Sequence, residues 1–245
     1  MEIVINNLTL KLKDDEGSHI NKIRIALNSY SNLHFTYKIM KKAIDARKKN
    51  DILFVYSCLV NIDGDVDITK IKGAKLVDFV EEMDIPHFKM NHRPVIVGFG
   101  PSGMFAGLYL ARAGLKPIIL ERGKKVEERE KDVALFKEKG IFSSLSNVCF
   151  GEGGAGTFSD GKLTTNVNDA RIRFIINEFI SHGASKEIYY EAHPHIGSDY
   201  LRIIVKNIRE EINSLGGEVK FETTFTSFET KDDKVTSALP CGIAL

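Results

Sequence analysis

Six consecutive residues, Gly98-Phe99-Gly100-Pro101-Ser102-Gly103, fit the spacing G-x-G-x-x-G. In such a turn the first glycine permits a tight exit from a strand, the second lets the backbone approach a pyrophosphate, and the third lets the next helix pack close to the strand. The phosphates would rest on amides at the start of that helix, where unpaired N–H groups and the positive end of the dipole converge. The spacing therefore predicts dinucleotide binding by Gly98, Gly100, Pro101, Ser102 and Gly103.

The surroundings of this turn strengthen a pattern that is weak by itself in a chain with 20 glycines. The turn follows the apolar run Pro94–Gly98, opens a helix predicted over Ser102–Ala113, and precedes a second apolar run, Pro117–Glu121. At the end of that run the Glu121 carboxylate would accept hydrogen bonds from ribose hydroxyls, which disfavours NADP because a 2′-phosphate would be repelled. The alternative is a surface carboxylate paired with Arg122.

A second glycine-rich segment, FGEGGAGTFSDGKL, spans Phe150–Leu163 and contains five glycines. Glycine removes side chains that block close approach, so the segment can lay backbone amides against a bulky planar ligand. A flexible surface loop explains the composition equally well. Cys149 directly precedes the segment, but no partner cysteine is near it in sequence, and buried cysteines are usually inert.

Two polar clusters are weaker indications of a ligand-binding site. Glu191, His193 and His195 offer carboxylate and imidazole groups, yet no further ligand stands at a recognised metal-site spacing, so we predict no metal. A structural histidine, or one that faces the substrate side of a cofactor, is favoured. The run Lys41–Asn50 contains five cations and fits either a phosphate site or a solvated turn, of which the turn is favoured.

Charge and composition exclude several classes of protein. The 34 basic and 33 acidic side chains give a formal charge of +1, so we predict no nucleic-acid partner and no membrane partner. The first residues alternate apolar and polar types, unlike a signal peptide, which predicts a cytoplasmic protein. The three cysteines, Cys58, Cys149 and Cys241, are far apart and are expected to be reduced.

The patterning predicts two domains. For residues 1–90 we expect a small α+β domain of ferredoxin-like order, with a last strand near His87–Met90 and a boundary near Asp84–Arg93. Its earlier elements are strand Glu2–Leu12, helix Ser18–Leu27, strands Leu33–Ile39 and Ile52–Ile62, and helix Lys72–Glu82. For residues 91–245 we expect an α/β Rossmann-like domain that binds FAD or NAD(P). Its later elements are helices Val126–Lys139, Ala170–Ser181 and Ser198–Leu215 and strands Glu218–Glu222 and Phe225–Thr230.

Several segments between Arg93 and Thr223 resemble the bacterial FAD-dependent dehydrogenases or oxidoreductases of uncharacterised substrate, within the flavoproteins that have two dinucleotide-binding domains. They are RPVIVGFGPSGMFAGLYLARAG, IILERG, SNVCFGEGGAGTFSDGKLTT and PHIGSDYLRIIVKNIREEINSLGGEVKFET, and DARKK at Asp45–Lys49 resembles the amino-terminal domain of the same group. The resemblance implies FAD-mediated hydride transfer to or from a small molecule, with NAD(P)H as a candidate electron donor. It assigns no catalytic acid or base.

The same resemblance implies which residues hold FAD. They are Gly98, Gly100, Ser102, Gly103, Glu121 and Arg122, with Gly153, Gly154 and Thr157 near the pyrophosphate or isoalloxazine and the backbone near Phe225 at the adenine. After Lys234–Ala238 the chain reads LPCGIAL, where the resemblance implies a further apolar strand and most of a substrate domain. We therefore expect an incomplete Rossmann-like domain with Leu239–Leu245 as an unrelated tail.

Two other functions stay open. The chain fits a non-catalytic nucleotide-binding or interaction fragment that needs a separate polypeptide. It also fits a plain NAD-dependent dehydrogenase, which shares Pro94–Glu121 but leaves the second glycine segment unexplained. The substrate, the electron acceptor and the oligomeric state do not follow from the sequence.

Overall fold

The computed structural model describes residues 1–15, 17–76, 84–165, 167, 169 and 171–242. Within these residues the fold is mixed α/β, with three sheets and five α-helices. The strands are β1 Glu2–Lys11, β2 Phe35–Asp45, β3 Leu53–Ile62, β4 Ala74–Leu76, β5 Val95–Val97, β6 Ile118–Leu120, β7 Glu218–Lys220, β8 Thr223–Lys231 and β9 Lys234–Gly242. The helices are α1 Ser18–Leu27, α2 Pro101–Arg112, α3 Val126–Lys139, α4 Arg171–Ser181 and α5 Ser198–Ser214.

Contacts within the chain divide it into two compact units, neither of which is continuous in sequence. Unit 1 contains Met1–Glu82, Thr164–Asn177 and Lys186–Pro194. Unit 2 contains Met83–Leu163, Glu178–Ser185 and His195–Leu245. No helix among the described residues has the length and apolarity needed to span a bilayer.

Unit 1 is built on an antiparallel sheet of order β2-β3-β1-β4. Ile3 and Ile5 of β1 face the core, and a register shift after Ile5 turns Leu8 and Leu10 to the same face. Asn7 sits at that shift with a φ of 60°. The irregularity explains why the apolar alternation of β1 changes phase, because an extra residue in one strand reverses the side-chain alternation. The buried face of α1 covers these residues through Ile23 and Leu27.

Helix α1 and strands β1 and β3 confirm the predictions for residues 2–62, and β2 is longer than predicted. Because β2 extends to Asp45, the first half of the predicted solvated turn Lys41–Asn50 is strand. The predicted helix Lys72–Glu82 is wrong at its start, where Ala74–Leu76 pair with β1 as β4. Gly73 explains the difference, since its φ is 79° and its carbonyl accepts the Asn6 N–H. Residues 77–83 lie outside the described part of the chain.

The outer edge of β2 carries a short additional pairing within unit 1. The Lys42 N–H donates to the Tyr190 carbonyl at 2.6 Å, and the Ala192 N–H donates to the Lys42 carbonyl at 2.9 Å. Glu191 is thereby bridged to Lys42 in parallel orientation. Residues from the far part of the chain thus protect the backbone groups of an edge strand. The predicted strand at His87–Met90 is not observed, since residues 84–94 form no regular element.

Unit 2 contains a parallel sheet of order β5-β6-β7, with α2 connecting β5 to β6 and α5 leading into β7. The strands and helices predicted over residues 94–139 and 198–222 are confirmed, with bounds that differ by one or two residues. Gly107 lets α2 pack on the sheet, because a Cβ there would lie 2.5 Å from the Ile119 Cδ1 atom. A continuous apolar run such as Pro94–Gly98 predicts a strand covered on both faces, yet in β5 Val95 and Val97 are 46% and 58% exposed at the edge of the sheet.

The last described residues form a β-hairpin. The predicted strand Phe225–Thr230 is confirmed within β8, which pairs with β9 through a turn at Asp232 and Asp233, whose φ values are 52° and 57°. Two positive φ angles are typical of tight hairpin turns. The expected unrelated tail Leu239–Leu245 is therefore corrected over residues 239–242, which pair with β8 as part of β9. Residues 243–245 lie outside the described part.

Candidate functional site

In the turn after β5, two of the three motif glycines are required by the conformation or the packing of the backbone. Gly98 has a φ of 91°, a conformation that side chains disfavour. A Cβ at Gly103 would lie 2.0 Å from the Gly98 carbonyl oxygen. Gly100 is different, because its φ is −77° and a Cβ there would meet nothing within 4 Å. The positive φ therefore accounts for Gly98 and close packing accounts for Gly103, whereas at Gly100 neither applies and the described residues leave open space beside the turn.

The amino terminus of α2 opens onto this space. The Met104 N–H donates to the Gly100 carbonyl at 2.9 Å, so the Ser102 and Gly103 amides precede the first intrahelical bond. Pro101 has no N–H to leave unsatisfied and its ring favours the helical φ. Both Pro101 and Ser102 are exposed. The arrangement places the first amides of α2 and the positive end of the helix dipole where an anion could bind.

Glu121 joins the turns that follow β5 and β6. Its side chain is buried, with Oε2 accepting the Phe99 N–H at 2.7 Å and Oε1 accepting the Gly123 N–H at 2.8 Å. The alternative of a surface carboxylate paired with Arg122 is wrong, because Arg122 is exposed and its guanidinium lies 4.2 Å from the centre of the Phe150 ring. Each carboxylate oxygen keeps further acceptor capacity.

The second glycine segment packs directly on the first. The Gly153 N–H donates to the Phe99 carbonyl at 2.8 Å, and a Cβ at Gly154 would lie 3.4 Å from the Gly100 Cα atom. Gly153 and Gly154 have φ values of 75° and 64°, and Gly154 begins the 3-10 turn Gly154–Phe158. Gly151, Glu152, Gly153 and Thr157 are buried, so a flexible surface loop does not describe this part of the segment. We call Gly98–Gly103 and Gly153–Thr157 together the glycine surface.

Arg129 stabilises the second glycine segment through hydrogen bonds to its backbone carbonyl groups. Its side chain is wholly buried and its guanidinium donates to the carbonyl oxygens of Asn147 and Gly154 at 3.0 and 3.1 Å, and to that of Glu152. Burial lowers the pKa of Arg129 to about 10, so the group stays positive at neutral pH. Sequence reasoning missed this residue. A signal existed, because Val126, Arg129 and Val133 share the buried face of α3.

Glu152 is the second buried member of this group. Its Oε2 atom accepts the Val126 N–H and an Arg209 N–H, both at 2.7 Å, and its Oε1 atom has no partner among the described residues. Arg209 also pairs with Glu127 at 2.7 Å. Burial raises the pKa of Glu152 to about 7, against the opposing effect of the Val126 amide and Arg209. We call the buried residues Arg129, Glu152 and Arg209, together with the partly exposed Glu127, the buried charge cluster.

The structure brings most of the predicted binding residues to one place. The Thr157 hydroxyl donates to the Glu152 carbonyl at 2.9 Å, which fixes Thr157 inside the glycine surface. The Thr223 N–H donates to the Glu121 carbonyl at 2.9 Å, so β8 begins beside the end of β6. Phe225 lies two residues further along β8 and stacks on Phe228 with ring centres 6.5 Å apart. The described contacts of the Phe225 ring are thus with Phe228, and they do not join Phe225 to the glycine surface.

The residues weighed as metal ligands form no such site in the described structure. No group of three or more histidine, cysteine, aspartate or glutamate side chains converges there in a way that could hold an ion. Glu191, Ala192 and His193 line an open cavity of about 350 Å³ in unit 1, together with Lys42 and Phe54.

The cysteines allow a direct test of burial. Cys58 is wholly buried and burial raises its pKa to about 11, whereas Cys149 is exposed. In a Cys241→Ser variant we expect a thiol reagent to label one thiol per native chain rapidly, and a second only in denaturant. The added substitution Cys149→Ser should abolish the rapid labelling. Rapid labelling of two thiols in the native variant would contradict the burial of Cys58.

Comparison with known proteins gives two similarities. Residues 2–61 match a domain of unknown function (DUF8436). An uncharacterized protein of Clostridium beijerinckii is 44% identical to this chain over 247 aligned residues. The alignment covers 99% of this chain. The chain covers 46% of that protein, so it spans about half the length of the curated relative it matches.

Proposed function

We propose that unit 2 binds FAD at the glycine surface and that the protein works as an FAD-dependent oxidoreductase. The observation that carries this proposal is the contact of the Gly153 N–H with the Phe99 carbonyl, which joins two glycine segments at the carboxyl ends of β5 and β6. Open α/β sheets bind nucleotides at that end of their strands. A single glycine turn suits many dinucleotides, whereas a second backbone surface beside it suits a ligand as large as a flavin dinucleotide.

The arrangement of elements supports a Rossmann-like unit 2, since β5, α2 and β6 form a parallel crossover and β7 continues the sheet on the far side of β6. For unit 1 the order β2-β3-β1-β4 supports a ferredoxin-like assignment, because β3 lies between β1 and β2 as in a split β-α-β unit. The function proposed for the whole protein rests on unit 2.

The residues of the site fit a dinucleotide. The open space beside Gly100 and the amides of Ser102 and Gly103 suit the pyrophosphate. The remaining acceptor capacity of Glu121 suits ribose hydroxyls. Gly153, Gly154 and Thr157 would border the pyrophosphate or the flavin ring, and Arg122 and the backbone near Phe225 would lie at the edge of the site. When bound, FAD supplies hydride transfer, with a small molecule as substrate and NAD(P)H as a candidate donor.

Two observations favour a second candidate, a nucleotide-binding unit that is inactive without further polypeptide. Val95 and Val97 leave the edge strand β5 exposed, and the chain covers 46% of the relative. Anaerobic reduction of the FAD-loaded chain by NADH or NADPH separates the two functions. Bleaching of the flavin absorbance supports an oxidoreductase, and bound flavin that neither donor reduces supports the binding unit.

The variant Gly100→Ala tests the ligand site apart from the fold. A methyl group there meets nothing within 4 Å and suits the φ of −77°, so we expect the free energy of unfolding to change by less than about 0.5 kcal/mol. The same methyl group occupies the path of the phosphates, so FAD affinity should fall at least about tenfold. Quenching of flavin fluorescence and urea denaturation measure the two quantities.

Gly17→Ala provides the matched control, because Gly17 lies in unit 1 with a φ of −68° and room for a methyl group. This variant should leave both stability and FAD affinity unchanged. Wild-type protein that binds no FAD after incubation would refute the proposed function. A clear preference for NADH over FAD would instead favour the NAD-dependent dehydrogenase.

A further inference from the structure

The buried charge cluster is joined to the contact between the two glycine segments through Glu152, which directly precedes Gly153, and through Arg129, which binds the Gly154 carbonyl. The carbonyl of Glu152 accepts hydrogen bonds from Arg129 and from the Thr157 hydroxyl, and its N–H donates to the Lys124 carbonyl at 3.1 Å. The next residue, Gly153, makes the bond to Phe99. The side chain of Glu152 is therefore one residue away from the backbone that forms the glycine surface.

The charges around Glu152 come from three elements. Helix α3 contributes Arg129 and Glu127, α5 contributes Arg209, and Glu121 acts on Arg129 from the end of β6. Glu152 is wholly buried, and of its two carboxylate oxygens only Oε2 has a hydrogen-bond partner among the residues that the structure describes. The unpartnered Oε1 atom is the place where a proton can be added without breaking an existing hydrogen bond.

We propose that Glu152 is a positioning residue through which ligand binding at the glycine surface is linked to the uptake of one proton. This inference rests on the proposed function, in which the ligand carries a pyrophosphate. A proton from solvent adds to Oε1 and no other bond changes. A pyrophosphate at the start of α2 adds negative charge near Glu152, so the bound state favours the neutral carboxyl.

The direction of the pH dependence follows from the burial of Glu152. Burial raises its pKa from 4.5 to about 7, so between these two pH values the folded protein holds a proton that the unfolded chain has released. As pH rises through that value the carboxyl ionises, and the ligand must then bind beside an additional negative charge. Affinity is therefore expected to fall with rising pH. Glu127 stays ionised throughout, because its hydrogen bond to Arg209 lowers its pKa.

The dissociation constant for FAD, measured from about pH 6 to about pH 8.5, tests the linkage. In wild-type protein we expect it to rise at least about fivefold over this range, and in Glu152→Gln to change less than about twofold. Glu127→Gln is the comparison variant: it removes the other carboxylate of the cluster, whose charge raises the pKa of Glu152, so it should keep a pH dependence with its midpoint moved to lower pH. A pH dependence in Glu152→Gln equal to that of wild type would overturn the inference.

Absence of FAD binding in wild-type protein at every pH would instead refute the proposed function itself, and the inference with it. A second measurement follows the titration of Glu152 directly in the wild-type protein. Carbon-13 NMR of the side-chain carboxyl groups, with Glu152 assigned by comparison with Glu152→Gln or Glu152→Asp, should show a higher titration midpoint with FAD than without it. An unchanged midpoint would overturn the linkage while leaving FAD binding intact.

Discussion

Replacing Gly103 with alanine is expected to lower the free energy of unfolding by about 2–4 kcal/mol. The added Cβ would lie 2.0 Å from the Gly98 carbonyl oxygen and 3.4 Å from the Ile96 side chain. The carbonyl cannot retreat easily, because the Gly98 N–H donates to the Leu120 carbonyl at 2.8 Å and ties the turn to β6. Helix α2 must therefore move away from the sheet. Urea denaturation monitored by circular dichroism measures the loss.

Gly100→Ala is the matched comparison for this prediction. The two positions are three residues apart in one turn, yet the methyl group meets the backbone at Gly103 and open space at Gly100. We expect Gly103→Ala to lose stability and Gly100→Ala to keep it. Equal stability of the two variants would mean that α2 does not approach β5 as closely as described.

Replacing Arg129 with methionine is expected to cost about 3–5 kcal/mol, because removal of one partner leaves other buried groups unpaired. Methionine keeps much of the side-chain length but donates no hydrogen bond to the carbonyl groups of Asn147, Glu152 and Gly154. Glu152 also loses one of its two neighbouring cations. Arg129→Lys keeps the charge with fewer donors and should have an intermediate effect.

Arg122→Met provides the control for charge and size. Arg122 is exposed and rests on the Phe150 ring, so its replacement should cost less than about 1 kcal/mol. Hydrogen exchange locates the effect: in Arg129→Met the Gly153 amide should lose protection, since its bond to Phe99 depends on the position of Glu152. If Arg129→Met proves as stable as Arg122→Met, the buried charge cluster does not hold the second glycine segment.

The elements of unit 2 were accessible from sequence because their signals are local. Continuous apolar runs gave β5 and β6, and the spacing of Gly98, Gly100 and Gly103 located the start of α2. The pairings within the buried charge cluster were not accessible in this way, although the spacing of Val126, Arg129 and Val133 indicates a buried Arg129. Arg209 and Glu127 stand 82 residues apart, and charged residues on predicted helices are usually assigned to solvent. Only the tertiary fold brings them together at Glu152.

Two errors have equally definite causes. The segment after Gly73 was assigned to a helix by its apolar spacing, whereas the positive φ of Gly73 and the free edge of β1 select a strand at Ala74–Leu76. Leu239–Gly242 carried no strand pattern of their own, and their pairing is set by the hairpin turn at Asp232–Asp233. In both segments, pairing with a neighbouring strand determines the secondary structure, and the local sequence preference does not.

The pairing of Lys42 with Tyr190 and Ala192 has a consequence for synthesis in the cell. Unit 1 includes the segment Lys186–Pro194, which is synthesised long after the first strands of the unit. Lys42 on the outer edge of β2 therefore cannot pair with this segment until Pro194 has emerged from the ribosome. At translation rates of about 5–20 residues per second, that wait is on the order of ten seconds. Nascent chains that stall before this point would expose the backbone groups of Lys42 on a strand edge that other chains could pair with.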